Sequence, residues 1–186
     1  MKAQSALRNM FLSLTIISLV AAAALAIVSK LTHSAISEAK ALKNEAAVVE
    51  VLPKSLGYVT LSPAEQDGVV LAYDGQGACV GAAVEASSEN GFGGHLAIMV
   101  GIDANGVLVG YKILESSETP GLGEKAAEWF QKEGKGCVIG MKLSDGDLQV
   151  SKDGGQVDAI SGSTITSRAF CEVVNSAYQK FLDAVR

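Results

Sequence analysis

Residues 158–170 read DAISGSTITSRAF and join a small, hydroxyl-rich loop to a strongly patterned C-terminal segment. Apolar residues then recur at helical spacing and form one stripe, which consists of Ala169, Phe170, Val173, Val174, Ala177, Tyr178, Phe181, Leu182 and Val185. The start of a helix carries free N–H groups and partial positive charge, which suits a phosphate. Ser161, Gly162, Ser163 and Thr164 would lie at this helix N-terminus.

Two explanations of this loop stay open on these residues alone. In the functional one, Gly162 lets the backbone approach a bulky ligand, and Thr164 offers a hydroxyl that can be esterified. Arg168 would then pair with a bound phosphate, although a solvated helix residue is equally consistent with the pattern. In the simpler explanation, Ser and Thr only cap the helix, because both are common before an apolar stripe.

The N-terminal region has the length and composition of a membrane span. Residues 10–28 are apolar apart from three hydroxyl residues, and as a helix they would extend roughly 28 Å, close to the hydrocarbon thickness. An uncleaved anchor is favoured over a cleaved signal peptide, because the apolar core is long and residues 30–52 continue a helical pattern. Lys2 and Arg8 would hold the N-terminus in the cytoplasm, so the remaining chain is expected outside it, at the inner (cytoplasmic) membrane.

Composition argues against two other classes of site. The 186-residue chain has a net charge of −5 without a basic patch, so no nucleic-acid partner is expected. Cys79, Cys137 and Cys171 are far apart and form no Cys-x-x-Cys pair, and His33 and His95 are isolated. No metal site is therefore expected, and free thiols are favoured over the single disulfide that three cysteines allow.

Downstream of Pro53, which should end the N-terminal helix, short apolar runs alternate with glycine turns. Two hairpins are predicted, with turns at residues 74–77 and 103–106. Further candidates are strands at residues 138–143 and 156–160 and a short helix at 126–132. The predicted fold is α+β: an N-terminal transmembrane helix, then an extracytoplasmic domain with a twisted antiparallel sheet and packed helices. The expected division is 1–29 for the cytoplasmic tip and anchor, 30–53 for a juxtamembrane helix and linker, and 54–186 for the domain.

Two further glycine-rich loops are candidates for ligand contact. Residues 118–123 read ETPGLG, and Pro-Gly fits the centre of a type II turn. In a sharper interpretation, Gly121 and Gly123 admit a planar ring close to the backbone, Thr119 hydrogen-bonds it and Leu122 packs on it. Residues 90–94 read NGFGG, which is either a second such loop or a plain bend before a strand.

These motifs together resemble the FMN-binding domain family. In its flavinylation motif an Asp is followed, three residues later, by Ser or Thr, then Gly, Ala and Thr. Asp158, Ser161, Gly162 and Thr164 match that pattern, while Ser163 stands where the family usually has Ala. The ETPGLG segment and the Gly-Phe-Gly-Gly turn also resemble segments of the family, and all occur in the family's order behind one N-terminal anchor.

The resemblance implies that FMN is joined to Thr164 through a phosphodiester. A separate flavin transferase, using FAD and a divalent cation, would recognise Asp158 during maturation. No catalytic acid, base or nucleophile set is expected in the chain itself. The other flavin contacts implied are Ser161, Gly162, Ser163, Thr166, Glu118, Thr119, Gly121, Leu122 and Gly123.

Within the family, length and motif order are most similar to the G subunits of Rnf-type complexes. This resemblance implies a membrane-anchored relay that passes electrons to other membrane subunits of a ferredoxin:NAD oxidoreductase coupled to Na⁺ or H⁺ translocation. One alternative is the C subunit of the sodium-pumping NADH:quinone reductase, which usually carries extra extracytoplasmic sequence. Another alternative is a membrane-tethered binding or sensing domain without covalent flavin.

Overall fold

The structure, a computed structural model, describes residues 2–66 and 68–186, without the side chains of residues 2–8 and 34. Lys2 and Arg8, whose charges carry the predicted orientation, have their side chains outside the described part. The chain divides into two compact units, of which the first ends at Leu42 and the second comprises Lys43–Arg186. The second unit thus begins at Lys43, before the domain start expected at residue 54, and the predicted three-part division stays a prediction.

The long N-terminal helix α1 spans Lys2–Val51 and ends just before Leu52 and Pro53, as the sequence predicts. Its most apolar 18-residue window has a mean hydropathy of 2.6, so the helix is long and apolar enough to cross a membrane. Hydroxyls within it bond back to the helix, with Ser13 Oγ 2.8 Å from the Asn9 carbonyl and Thr15 Oγ1 2.9 Å from that of Phe11. Such bonds satisfy polar side chains that water cannot reach in hydrocarbon.

Among the described residues, the second unit contains one five-stranded antiparallel sheet in the order β1–β2–β3–β4–β5. The strands are β1 (Thr60–Pro63), β2 (Val69–Tyr73), β3 (Cys79–Gly91), β4 (Gly94–Asp103) and β5 (Leu108–Ser116). Both predicted hairpins are confirmed. In each, an aspartate at the turn accepts two backbone N–H bonds: Asp74 from Gln76 and Ala78, and Asp103 from Asn105 and Val107.

Alternation along the strands divides the interior of the second unit into two cores. Leu96, Ile98 and Val100 of β4 face the C-terminal helix α3 (Thr164–Val185), whose predicted apolar stripe is buried except at its last turns. On the opposite face, Ala97 and Met99 pack against residues 47–52. The helix end can approach the sheet because Gly101 and Gly110, which pair across β4 and β5, lie under the Val51 carbonyl, where any Cβ would collide with it.

Three predicted elements differ from the structure. Residues 138–143 and 156–160 are not strands but make single bridges, Val107 with Lys142 and Val150 with Val157. Gly140, at φ 91°, bends the first segment two residues before Lys142, so the segment forms a bridge rather than a strand. The predicted helix at 126–132 is shorter, since α2 spans only Ala126–Trp129. It stops because Gly134 and Gly136 fold the chain back beneath Trp129, where a side chain would collide.

Candidate functional site

The loop before α3 forms a tight turn that Ser167 holds in place. The Ser163 N–H donates to the Ile160 carbonyl at 3.0 Å, and Gly162 has φ 80°, a conformation that strongly favours glycine. The Ser167 hydroxyl accepts the Ile160 N–H at 3.0 Å and donates to the Ser163 carbonyl at 2.9 Å. Ser163 occupies the N-cap position but makes no side-chain capping bond, so helix capping does not account for the hydroxyls of this loop.

Thr164, the first residue of α3, is half-buried, and its hydroxyl contacts a lysine. Lys152 Nζ donates to Thr164 Oγ1 at 3.1 Å. Lys152 lies in a short 3₁₀ turn, Ser151–Asp153, which begins directly after Val150, the residue that bridges to Val157. An ammonium group therefore lies at the hydroxyl that the sequence singles out for modification.

Arg168, one turn along α3, is engaged elsewhere. Its Nε and Nη2 donate to the two carboxylate oxygens of Asp153 at 2.7 and 2.8 Å. This hydrogen bonding lowers the pKa of Asp153 below its ordinary value and raises that of Arg168. In the structure, the Arg168 guanidinium holds the loop that presents Lys152.

Asp158, the predicted recognition residue, has an exposed side chain on a fixed backbone. The indole Nε1 of Trp129 donates to the Asp158 carbonyl at 2.8 Å. Gly136 lies so close to both groups that any side chain there would clash with them. The carboxylate of Asp158 is thus free to meet another protein while its main chain stays in place.

A cleft of about 330 Å³ opens between the loop before α3 and the ETPGLG segment. This volume lies in the range of small-molecule sites, roughly 300–1,000 Å³. Most of the predicted contact residues line it, together with Phe92 of the 90–94 loop and two residues, Lys152 and Ile165, that were not predicted. The lining consists of Phe92, Glu118, Thr119, Leu122, Gly123, Lys152, Gly162, Ser163, Thr164 and Ile165.

Three predicted contact residues do not line the cleft. Gly121 has φ 76° and sits in a turn closed by the bond from Leu122 N–H to the Thr119 carbonyl at 3.1 Å, as a type II turn requires. Ser161 is exposed in the neighbouring turn. Thr166 is fully buried, and its Oγ1 has no hydrogen-bond partner among the described residues.

Glu118 is the most unusual group of the cleft wall. The residue is only 9% exposed, yet neither carboxylate oxygen has a hydrogen-bond partner in the described part of the chain. Gly91 and Gly123 make room for it, since a Cβ at either position would run into the carboxylate. A buried acceptor without a donor is costly, so this group is poised to accept hydrogen bonds from a ligand.

The residues present fit the flavin mononucleotide that the sequence motifs imply. Phe92, Leu122 and Ile165 are large apolar side chains that remain exposed at the cleft, which suits the faces of a planar ring. Glu118 supplies an unpaired acceptor for a ring N–H. Lys152 and the start of α3 offer positive charge for a phosphate next to Thr164.

Sequence reasoning missed Lys152 and Ile165 and left Phe92 as one of two alternatives. Lys152 is twelve residues before Thr164, and the only local signal is a basic residue in a Lys-Asp-Gly-Gly turn. Ile165 was detectable as an apolar residue off the predicted stripe. Phe92 stands at the tip between β3 and β4, where it is 69% exposed, and a large aromatic in a glycine turn is the signal there.

Comparison with known proteins identifies relatives along most of the chain. The FMN-binding domain family matches residues 91–179, which include every residue that lines the cleft. The G subunit of an ion-translocating oxidoreductase complex of Methanosarcina acetivorans is 35% identical over 177 residues, covering 91% of this chain and 91% of the relative. The G subunit of the Na(+)-translocating ferredoxin:NAD(+) oxidoreductase complex of Acetobacterium woodii is 33% identical over 184 residues, covering 91% and 89%. A crystal structure of Shewanella oneidensis NqrC covers 71% of this chain and 73% of its own, at 19% identity and a TM-score of 0.48.

Proposed function

This chain belongs to the family of the G subunits of ion-translocating oxidoreductase complexes, and on that basis we propose that it is a membrane-anchored electron-transfer protein that carries FMN covalently on Thr164. The observation that carries the proposal is the position of Thr164, whose hydroxyl lies on the wall of the cleft at the start of α3. FMN, when bound, accepts and donates electrons singly or in pairs, which suits a relay between one-electron centres.

Different residues of the cleft would hold different parts of the cofactor. Thr164 provides the oxygen for a phosphodiester, which prevents loss of FMN outside the cytoplasm. The N-terminus of α3 stabilises the remaining negative charge by about 0.3–1 kcal/mol. Leu122 and Ile165 pack against the ring, and Glu118 accepts a hydrogen bond from its polar edge. Thr119 and Gly123 line the opposite wall, and Gly121 forms the turn between them. Ser161, Gly162, Ser163 and Thr166 shape the turn before α3.

A single pass through the cytoplasmic membrane, with the FMN domain outside, is the topology proposed here. The apolar helix α1 supports it by length and composition, and membership in a membrane-complex family agrees. Protease added to intact spheroplasts should remove the domain and leave a short anchor. A domain protected until the membrane is lysed contradicts this topology, and a mature chain that begins after residue 28 indicates a cleaved signal peptide instead.

The proposed partners are the other membrane subunits of an Rnf-type ferredoxin:NAD oxidoreductase that translocates Na⁺ or H⁺. The names of the two relatives support this assignment over the C subunit of the sodium-pumping NADH:quinone reductase. Affinity purification of the full-length chain from mild detergent, followed by identification of the co-purifying subunits, decides between them. Recovery of quinone-reductase subunits would overturn the assignment.

Covalent flavin is tested by the intact mass of the chain made with and without a flavin transferase. With the transferase, the mass should increase by one FMN less one water, and the denatured band should fluoresce. Asp158→Asn should reduce the modified fraction while leaving the domain folded, because its exposed carboxylate is proposed to be read by the transferase. If the mass is unchanged although the transferase is active and the chain is exported, the proposal is wrong and the chain is a membrane-tethered domain without covalent flavin.

A further inference from the structure

Lys152 and Thr164 lie twelve residues apart in sequence but meet on the cleft wall. The ammonium Nζ of Lys152 is 3.1 Å from Thr164 Oγ1, and both side chains line the same cavity. The contact joins a loop to the first residue of a helix, so it depends on how the loop is anchored. Sequence motifs assign no role to Lys152.

The loop that carries Lys152 is fixed at both ends. Ser151 N–H donates to the Val157 carbonyl at 2.8 Å, and Gly155 N–H donates to the Val150 carbonyl at 3.1 Å. Next to Lys152, Asp153 forms the two-pronged ion pair with Arg168 of α3. Because Thr164 and Arg168 are one turn apart on the same helix, this pair holds Lys152 in register with the Thr164 hydroxyl.

The local charges leave Lys152 as the group available to an anion. Arg168 is neutralised by Asp153, and the other ionisable group that lines the cleft is Glu118, whose carboxylate repels a phosphate. Lys152 itself is exposed, and its contact in the structure is a hydroxyl rather than a carboxylate. Among the side chains that the structure describes, Lys152 is therefore the cation that a phosphate on Thr164 would meet, beside the N–H groups that begin α3.

We infer that Lys152 binds the phosphate at Thr164 and positions the Thr164 hydroxyl for flavinylation, an inference that rests on the covalent attachment proposed above. In that reaction the Thr164 oxygen forms a bond to the phosphorus of the FMN half of FAD. The bond from that phosphorus to the bridging oxygen breaks, AMP leaves with the electron pair, and the hydroxyl proton passes to the transferase or to water. No electrons are exchanged.

Lys152 does not act as the base in this step, because an ammonium group has no lone pair to accept the proton. Its N–H bond instead holds the Thr164 oxygen in one orientation at the cleft. Its charge attracts the diphosphate of FAD and afterwards pairs with the non-bridging oxygens of the phosphodiester. The role requires positive charge more than a particular shape, so arginine should substitute for it.

The test uses the full-length chain, purified unmodified in a phosphorus-free detergent, with flavin transferase, FAD and Mg²⁺. Initial rates of adduct formation are followed by intact mass for the wild type, Lys152→Gln, Lys152→Arg and Lys132→Gln. Lys132 is an exposed lysine outside the cleft and serves as the matched control. Lys152→Gln should be slower by about tenfold, since a charge-assisted hydrogen bond is lost, while Lys152→Arg should stay within about threefold of the wild type.

A second readout separates phosphate binding from recognition by the transferase. Each variant is driven to full modification, and the phosphorus NMR shift of the phosphodiester is measured in the folded and unfolded chain. The wild-type shift should change on unfolding, and Lys152→Gln should already lie near the unfolded value. The inference is overturned if the wild type and Lys152→Gln are flavinylated at equal rates, or if the phosphorus shift of the folded chain is the same in both. A wild type that acquires no FMN refutes the covalent attachment itself, which is a different result.

Discussion

Arg168 on α3 and Asp153 in the preceding loop form a bidentate ion pair, with nitrogen–oxygen distances of 2.7 and 2.8 Å. The hydrogen bond from Arg168 lowers the pKa of Asp153. Because the pKa of this carboxyl is lower in the folded chain, the ion pair stabilises the folded state. That stabilisation is complete above the pKa of the unfolded chain, about 3.9, and it is lost only as the pH falls through the pKa of the folded chain. The pair therefore persists through the neutral range and keeps Lys152 beside Thr164 there.

Replacing Arg168 with Gln should loosen the Lys152 loop without unfolding the domain, because both partners of the ion pair are exposed. Amide hydrogens of residues 151–157 should exchange faster, and flavinylation should slow by less than it does in Lys152→Gln. Arg186→Gln is the matched control, since Arg186 pairs with Asp183 at the far end of α3 at 3.6 Å. Unchanged exchange in the loop of the Arg168 variant would show that the ion pair does not hold it.

Much of this fold can be read from the sequence because its signals are local. The Asp-x-x-Gly turns fix both hairpins, and the stripe that begins at Ala169 fixes the face of α3. Segment 138–143 is apolar like a strand, but the positive φ of Gly140 bends it before its bridge at Lys142. The role of Lys152 cannot be predicted from local sequence, because its contact with Thr164 depends on how a loop packs on α3 through Arg168.

Glu118→Gln removes a negative charge from the cleft wall. Flavin reduction adds negative charge, so it should become easier, and the midpoint potential should rise by on the order of tens of millivolts. Glu124→Gln is the control, because Glu124 is exposed nearby but does not line the cleft. Redox titration of the flavinylated chains provides the comparison. Equal shifts in the two variants, or none in Glu118→Gln, would place the carboxylate away from the flavin.

Gly121→Ala tests whether the turn at φ 76° shapes the flavin site. A Cβ there meets nothing within 4 Å, so the cost comes from the backbone conformation, about 1–2 kcal/mol. Gly140→Ala is the matched control. Gly140 has φ 91°, a Cβ there would also meet nothing within 4 Å, and the residue does not line the cleft. Both variants should lose similar stability in denaturant, but only Gly121→Ala should alter the flavin absorbance spectrum. If the flavin absorbance spectrum changes equally in both variants, the turn at Gly121 contributes to stability but does not shape the flavin site.

Gly101→Ala should weaken the packing of the end of α1 on the sheet. The added Cβ would collide with the Val51 carbonyl, and such overpacking costs about 1–3 kcal/mol of unfolding free energy. Gly75→Ala is the control, because its Cβ would meet only Val59 Cγ2, at 3.9 Å. Denaturant titration of the full-length chain compares them. If Gly101→Ala is as stable as Gly75→Ala, the helix end does not belong to the core of the second unit.

The attachment site is tested most directly by peptide mass spectrometry of the flavinylated chain. The adduct should map to Thr164, because its hydroxyl lines the cleft, whereas Thr166 is fully buried. Thr164→Ala should be expressed and inserted but carry no FMN, and Ser161→Ala and Thr166→Val should keep the adduct on Thr164. An adduct on Ser161, Ser163 or Thr166 in the wild type, or FMN retained covalently by Thr164→Ala, would contradict the account.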